Sequence, residues 1–487
     1  MFYVGLSPKK GDSPTEKAWK RRCTERLLAL RRELKAHIHG KGGSKRDEKR
    51  FMRLATWNIR EFPSGKFGER LDESYYYIAE IISHFDVIAI QEVREDRENL
   101  DRVMKILGRN RWDYIATDVT ESPAGNRERM VFVFNTDKVR FRDVAGEITL
   151  SGKERITYPH EERLSVGKGF QYLLPKDAAF PLTKVETKKY KGKERLTEDL
   201  ILDFPEGTQL SIPTNTSLVI PAKTEVTLDD LGNLILSGDA LKSALKKATI
   251  KLPSGSIIGD ALQFARTPFV VEFQSGWLKF ILCTVHIYFG KGDAGMERRK
   301  AEIRAVTEFL GDRATSETDS DAENFFFVLG DFNIKNKKHG TWKALHNAGF
   351  EVPEALKAIP EGSNVDRSKA YDQIAYWTDP DNIRAGKSSV SKVEVVNAGI
   401  FDFFKTVFRF DEDDSGGKDE GTYTEIMLHM QEMARQAKEA EEGKPVEKKA
   451  PWKYKDWRTF QMSDHLPMWI ELRTDFADEY LEMVGKS

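Results

Sequence analysis

Phe325-Phe326-Phe327-Val328-Leu329 runs straight into Gly330-Asp331-Phe332-Asn333. An apolar run of this kind, closed by a glycine turn, reads as a strand buried on both faces. It delivers a carboxylate and a carboxamide at its end. The same arrangement recurs along the chain. Leu54-Ala55-Thr56-Trp57 ends in Asn58, Val87-Ile88-Ala89-Ile90 in Gln91-Glu92, and Cys283-Thr284-Val285 in His286. Tyr371-Asp372-Gln373 opens a further strand, and Ser463-Asp464-His465 precedes the last. Strands aligned in a sheet bring such ends to one rim. An Asn, several carboxylates and two histidines meeting there make a hard-oxygen cation site with acid–base groups beside it.

Outward from these runs, the strand candidates are Leu54–Trp57, Val87–Ile90, Met130–Phe134, Phe269–Phe273, Phe280–Ile287, Phe325–Leu329, Ile374–Trp377 and Pro467–Leu472. Tyr75–Phe85 and Met296–Leu310 have helical spacing. The pattern is that of a mixed α/β domain. Residues 14–38 form an amphipathic helix with Trp19, Cys23, Leu27, Leu28, Leu30 and Leu34 near one side. Its basic remainder either faces solvent, with the stripe docked on the core, or contacts nucleic acid. A Gly/Lys linker, Gly40 to Lys49, follows it.

Six segments result: 1–50, the basic helix and linker; 51–150, the first catalytic part; 151–261, a β-rich insertion; 262–410, the second catalytic part; 411–458, a charged helical insertion; and 459–487, the third catalytic part and tail. In the first insertion Leu210-Ser211-Ile212-Pro213 and Leu218-Val219-Ile220-Pro221 suggest small stacked strands. It lies between the hairpin carrying Glu128 and the strand leading to His286, a place from which to govern access. It is a candidate surface for a protein or nucleic-acid partner. The second opens with Asp411-Glu412-Asp413-Asp414 and reads as a partly mobile excursion. Tyr480–Val484 could cap the core.

Composition narrows the class. Of 487 residues, 39% are apolar and 29 are Phe, enough for a sizeable core, and the formal net charge of −1 gives no global pull on a polyanion. Any basic footprint is therefore local, as in Lys9–Arg53. Two cysteines, Cys23 and Cys283, rule out a disulfide framework or a cysteine zinc site. With no export signal and no transmembrane run in the sequence, a cytoplasmic protein is expected.

The clustered groups suit phosphodiester cleavage. Carboxylate-bound Mg²⁺ polarises a phosphoryl oxygen, Asp and His orient and deprotonate water, and Asn or His donates to the oxygens that gain charge. No Cys or Ser lies in an activation motif for a covalent nucleophile. Taken singly, Gly-Asp-Phe-Asn is a turn, Gln-Glu a solvated strand end and a buried His a satisfied core residue. Their joint occurrence carries the reading. On a solvated rim, the histidines should matter to rate and little to stability.

Leu-Ala-Thr-Trp-Asn58, Ile-Gln-Glu92-Val, Thr-Val-His286, Leu-Gly-Asp331-Phe-Asn333, Tyr-Asp372-Gln-Ile and Ser-Asp464-His465 together resemble the endonuclease/exonuclease/phosphatase superfamily. The pancreatic-type deoxyribonuclease branch is closest. Gln91-Glu92-Val93-Arg94 resembles its metal-site turn, Glu128–Phe134 with Asp137-Lys138-Val139 its central hairpin, and Phe264–Val271 the strand before its first catalytic His. The resemblance covers residues 51–150, 262–410 and 459–475. It implies a four-layer sandwich, two packed β-sheets with helices on both outer faces.

It also implies roles. Glu92 is the principal Mg²⁺ ligand (Mn²⁺ a substitute), with Asn58, Asp331 and Asp464 near a second metal position. His286 pairs with Glu128 and His465 with Asp372, and Asn333 positions the scissile phosphate or water. Arg94, Arg129 and Arg266 are phosphate-facing candidates, each with a surface ion pair as the alternative. Arg60 stands where the abasic-site endonucleases have Asp. Asn126 replaces the aromatic that packs into duplex minor groove, and Tyr371-Asp372-Gln373 lacks the Cys-Asp-Arg of inositol-phosphate 5-phosphatases. The expected activity is a metal-dependent nuclease on DNA, less so RNA. The alternative is a phosphatase or phospholipase on a small molecule or lipid.

Overall fold

A computed structural model describes residues 3–40, 48–62, 67–119, 127–150, 163–165, 184–198, 200–203, 217–220, 222–231, 233–235, 249–251, 263–290, 292–318, 325–377, 393–410, 419–447 and 450–486. Asn126, Leu210–Pro213, Pro221, Asp411–Asp414 and most of Gly40–Lys49 lie outside them. The chain divides into two compact units. One holds Met1–Ser151, Gln263–Phe289 and Glu302–Ser487, the other Gly152–Leu262 and Gly290–Ala301.

In the first unit the buried apolar runs assemble into two six-stranded mixed sheets flanked by helices. One sheet has the spatial order Val395–Ile400, Met468–Arg473, Phe51–Phe62, Val87–Arg94, Glu128–Asn135 and Trp112–Ala116. The other runs Phe350–Glu351, Asp372–Trp377, Phe325–Asp331, Leu278–His286, Phe269–Ser275 and Arg140–Glu147. Their inner faces pack on each other. Phe132 and Phe134 from the first meet Phe269 and Phe273 from the second, with ring centroids 5.3–5.8 Å apart. Alternation puts every second side chain into this interface, and burial of the opposite faces under helices explains why the runs are apolar throughout.

The amphipathic helix is present as Pro14–His39, begun by a capping box between Ser13 and Glu16 with Pro14 in the first turn. Cys23, Leu27, Leu30, Leu34 and Ile38 are buried. Leu28, expected in the stripe, is 56% exposed, and Trp19 is half-buried. The helix packs on Asp72–Ile82 and on Val395–Ile400. Much of its basic charge is used internally: Lys20 pairs with Asp12, Arg22 with Glu73, Arg26 with Asp419, and Arg31 with Glu80. The docked reading of this helix therefore prevails over a nucleic-acid arm. Leu30→Ala is expected to lower stability by about 2–5 kcal/mol through cavity formation, measured by urea unfolding. A change of less than about 0.5 kcal/mol, the size of an ordinary surface substitution, would mean the helix is not part of the folded body.

The charged segment expected as an excursion is helical over Glu420–Glu442, and its first turn is anchored. Tyr423 is buried and donates to Glu73, while Asp419 accepts from Arg26 and Arg409. The boundary drawn at 458 falls inside the helix Tyr454–Gln461. At the tail, the helix Ala477–Lys486 sets Tyr480 against Trp277 at 5.5 Å. In the second unit Arg163–Ser165, Thr249–Lys251, Ser217–Ile220 and Leu200–Asp203 form an antiparallel sheet, with Thr187–Tyr190 and Lys193–Leu196 as a separate hairpin. Among the described residues no helix is long and apolar enough to cross a membrane.

Candidate active site

Strand register fixes where the polar ends meet. His286 lies opposite Asp331 in the parallel pair, and Asp331 opposite Asp372 in the antiparallel one. Gly330 permits this approach, because a Cβ there would stand 2.1 Å from the Val285 carbonyl oxygen. Its positive φ, +139, also suits glycine. In the facing sheet both strands slip register beyond Asn58 and Ile90. Glu61 and Glu92 take up the irregularity in left-handed backbone, with φ 41 and φ 64 respectively. Such a bulge re-aims the side chain it carries. The bend turns Glu92 back at Asn58. Glu92 Oε1 accepts from Asn58 Nδ2 at 2.9 Å, and its Oε2 from the Glu61 amide at 2.8 Å.

Asn58 joins the two sheets. Its Nδ2 also donates to Asp331 Oδ2 at 3.1 Å. Asp331 Oδ1 accepts from the Asn333 amide at 2.8 Å, in a left-handed turn where Asn333 has φ 53. Asn333 Nδ2 is anchored on the Ile287 carbonyl at 2.7 Å. Deeper, Gln91 bonds both Thr56 and Thr284, a second polar tie between the sheets.

Both histidines point at Asp331. His286 Nε2 lies 3.6 Å and His465 Nε2 3.8 Å from Asp331 Oδ2. Each is tied behind by a carboxylate, His286 Nδ1 to Glu128 at 2.7 Å and His465 Nδ1 to Asp372 at 2.8 Å. A proton held at Nδ1 leaves Nε2 as the working nitrogen of each ring. Burial opposes ionisation of Glu128, but His286 and Arg266 outweigh it and hold the carboxyl at about 2. Burial pushes Asp372 up. For His465 burial works downward, yet Asp372 and Asp331 overcome it and raise the imidazole well above its ordinary value.

Two sets of donors share Asp331. Asp331, Asp372 and His465 offer ligand atoms within 4.8 Å of one another. Asp372 Oδ2, however, already binds His465 Nδ1 and Ser363 Oγ, so this group reads first as an acid–base pair facing a carboxylate. The carboxylate oxygens of Glu92 and Asp331 suit a hard divalent cation better, and Asn58, whose Nδ2 stands between them, adds its Oδ1 once the carboxamide is turned about. Asn58 Oδ1 and Asp372 Oδ1 are buried with no hydrogen-bond partner among the described residues. Such orphaned acceptors are costly unless a cation or a donor meets them. The residues therefore fit a resident divalent ion.

Asn58, Glu92, Glu128, His286, Asp331, Asn333, Asp372 and His465 thus share one connected network. The other candidates do not join it in the expected way. The Asp464 carboxylate is 37% exposed and faces Arg60 Nη1 at 3.4 Å, a cation already beside the position read as a second metal ligand. Arg266 is only 9% exposed, and its guanidinium grips Glu128 through Nε at 3.1 Å and Nη2 at 3.3 Å. That is the ion-pair alternative of its reading, met here in a buried rather than a surface pair. Arg129 donates to the Thr117 carbonyl and meets Asp118, and Arg94 lies half-buried opposite Glu128 in register. Sequence reading missed Ser363, which donates to Asp372 Oδ2 at 2.6 Å and accepts from its amide at 2.9 Å. No motif marks it, since it comes from a loop.

No family model matches the chain. Over 97 residues it is 36% identical to deoxyribonuclease-1 of Equus caballus, a match covering 19% of this chain and 33% of that protein. The chain thus spans about a third of the length of the curated relative it matches. An endonuclease/exonuclease/phosphatase family protein from Bacteroides thetaiotaomicron is structurally similar at 13% identity and TM-score 0.38, covering 87% of this chain and 98% of that one. So is mannosyl-6-phosphatase from Bacteroides thetaiotaomicron VPI-5482, at 14%, TM-score 0.39, and 86% and 99% coverage. The human nocturnin catalytic domain with bound sulfate follows at 11%, TM-score 0.37, and 87% and 93%. The 97-residue match to deoxyribonuclease-1 agrees locally with the resemblance to the pancreatic-type deoxyribonuclease branch read from the motifs.

Proposed function

We propose that this chain is a divalent-metal-dependent phosphodiesterase that hydrolyses nucleic acid, DNA before RNA, by attack of water. The observation that carries the reading is the convergence of two carboxylate-backed imidazoles on Asp331 Oδ2, beside the Glu92 carboxylate and the Asn58 carboxamide. Glu92, Asp331 and the Asn58 carboxamide would hold Mg²⁺, or Mn²⁺ in its place, and the ion would supply neutralisation of the charge that develops in the reaction.

The chain's own groups do the rest. Asp331 is held by the Asn333 amide and by Asn58, so its free lone pairs can orient water and accept its proton. The imidazole Nε2 atoms face the same point and can donate to non-bridging phosphate oxygens as charge develops. Glu128 and Asp372 hold the rings in register for that donation. Similarity to a deoxyribonuclease-1 supports DNA over a sugar or lipid phosphate.

The test is purified protein with plasmid, single-stranded DNA, RNA and a phosphoinositide panel, with and without EDTA. Cleavage of DNA, lost in EDTA and restored by Mg²⁺ or Mn²⁺, is expected. Its apparent affinity should fall steeply with salt, because binding several phosphates releases condensed counterions. Phosphate release from lipid or inositol substrates with no nucleic-acid cleavage would hand the case to the phosphatase reading.

A further inference from the structure

Three rings lead outward from the side of Asp331 on which His465 stands. Tyr371 lies nearly parallel to the His465 imidazole, with centroids 5.6 Å apart and planes 27° from one another. Phe289 in turn meets Tyr371 at 6.5 Å, with the two planes 85° apart. Exposure rises along the series: His465 is buried, Tyr371 half-buried, and Phe289 is 43% exposed. Resting on the nuclease reading, we propose that Phe289, seated against Tyr371, stacks on an unpaired nucleobase next to the phosphodiester being cut, and so makes single-stranded nucleic acid the preferred substrate.

Backbone ties the platform to the reacting groups as closely as the rings do. The Ile287 amide donates to the Asp331 carbonyl at 2.8 Å, and the Ile287 carbonyl accepts from Asn333 Nδ2 at 2.7 Å. Phe289 stands two residues further on. Across from it, the Phe332 amide donates to the Tyr371 carbonyl at 2.9 Å. The short segments that position Asp331 therefore position both aromatic rings. A ring held in advance loses little freedom when a ligand covers it.

Chemistry selects that ligand. A single apolar side chain on a surface is ordinary, but this one stands two ring contacts from an imidazole placed to donate to a phosphate oxygen. A nucleotide whose phosphate sits there carries its own flat ring, and every base has a π-face to lay on an aromatic side chain. Inside a duplex both faces of a base are covered by its neighbours, so only an unpaired or extruded base can reach Phe289.

The test uses full-length protein and two labelled twelve-unit strands, oligothymidylate and a chain of the same phosphates on base-free sugars. Binding is measured by anisotropy in EDTA, where nothing is cut. Wild type should hold oligothymidylate about ten-fold more tightly than the base-free strand, the effect of one stacked base. F289A should remove most of that ratio without changing the slope of log affinity on log salt, since no phosphate contact is lost. F289W should keep the ratio and F289L should not, because leucine fills the space but has no π-face. With Mg²⁺, wild type should cut a single strand faster than the duplex of the same sequence, and F289A should narrow the difference. Equal binding of the two strands by wild type, an unchanged ratio in F289A, full rescue by leucine, or preference for the duplex overturns the proposal. Failure of the wild type to cut any nucleic acid refutes the nuclease reading instead, and the two-strand comparison still decides whether the ring stacks on a base.

Discussion

Glu92→Gln is expected to remove turnover at millimolar Mg²⁺, a loss on the order of 10³-fold or more, and to leave the fold intact. Glutamine keeps the shape and one acceptor but carries no charge to hold a hard cation. The local bonding sharpens the argument. Both Glu92 oxygens accept, one from Asn58 Nδ2 and one from the Glu61 amide, so an amide group here must present a donor to a donor. Glu92 is half-buried and sits at a strand irregularity, with the hydrophobic interface beneath it unaltered. The melting temperature should therefore shift by only a few degrees, what about 1 kcal/mol produces. Calorimetric titration of Mg²⁺ or Mn²⁺ into the variant should show the affinity lost along with the rate. Near-wild-type turnover, or intact metal affinity, would remove Glu92 from the ligand set.

The strands that carry the site were legible because each is buried on both faces and ends in a polar residue. Val87–Arg94 and Phe325–Asp331 extend their predicted apolar cores by only a few residues. In the first unit the strands that went unread, Trp112–Ala116, Arg140–Glu147, Phe350–Glu351 and Val395–Ile400, all lie at sheet edges. Arg140–Glu147 is mostly exposed and shows no apolar run at all. An edge strand is held by backbone pairing, which leaves little mark on side-chain pattern. The site follows the same division. Asn58, Asp331 and the two histidines stand in short motifs, so local sequence finds them. Arg266 gripping Glu128, Arg60 facing Asp464 and Ser363 supporting Asp372 are long-range contacts made by residue types common on any surface. Only the register of the two sheets brings them to the motifs.

His286→Ala and His465→Ala should each lower the rate by about 10²–10⁴, and burial adds a second consequence. The solvated rim expected from sequence is corrected here: His286 is 6% and His465 8% exposed, each against a buried carboxylate. Removing one member of a buried pair leaves the other uncompensated, at about 3–5 kcal/mol, so both variants should also unfold at lower urea. Asp372 keeps Ser363 and Glu128 keeps Arg266, which limits the damage to the lower part of that range. Linkage separates His465 from a merely structural ring. Its pKa is raised on folding despite burial, by Asp372 and Asp331. The stabilisation is then fully present below the unfolded value near 6.5 and lost as pH rises through the folded value. In EDTA, the difference in melting temperature between wild type and His465→Gln should be largest at about pH 6 and shrink as pH increases. A difference that is flat with pH, together with retained activity, would make His465 a core residue and leave His286 alone to serve the reaction.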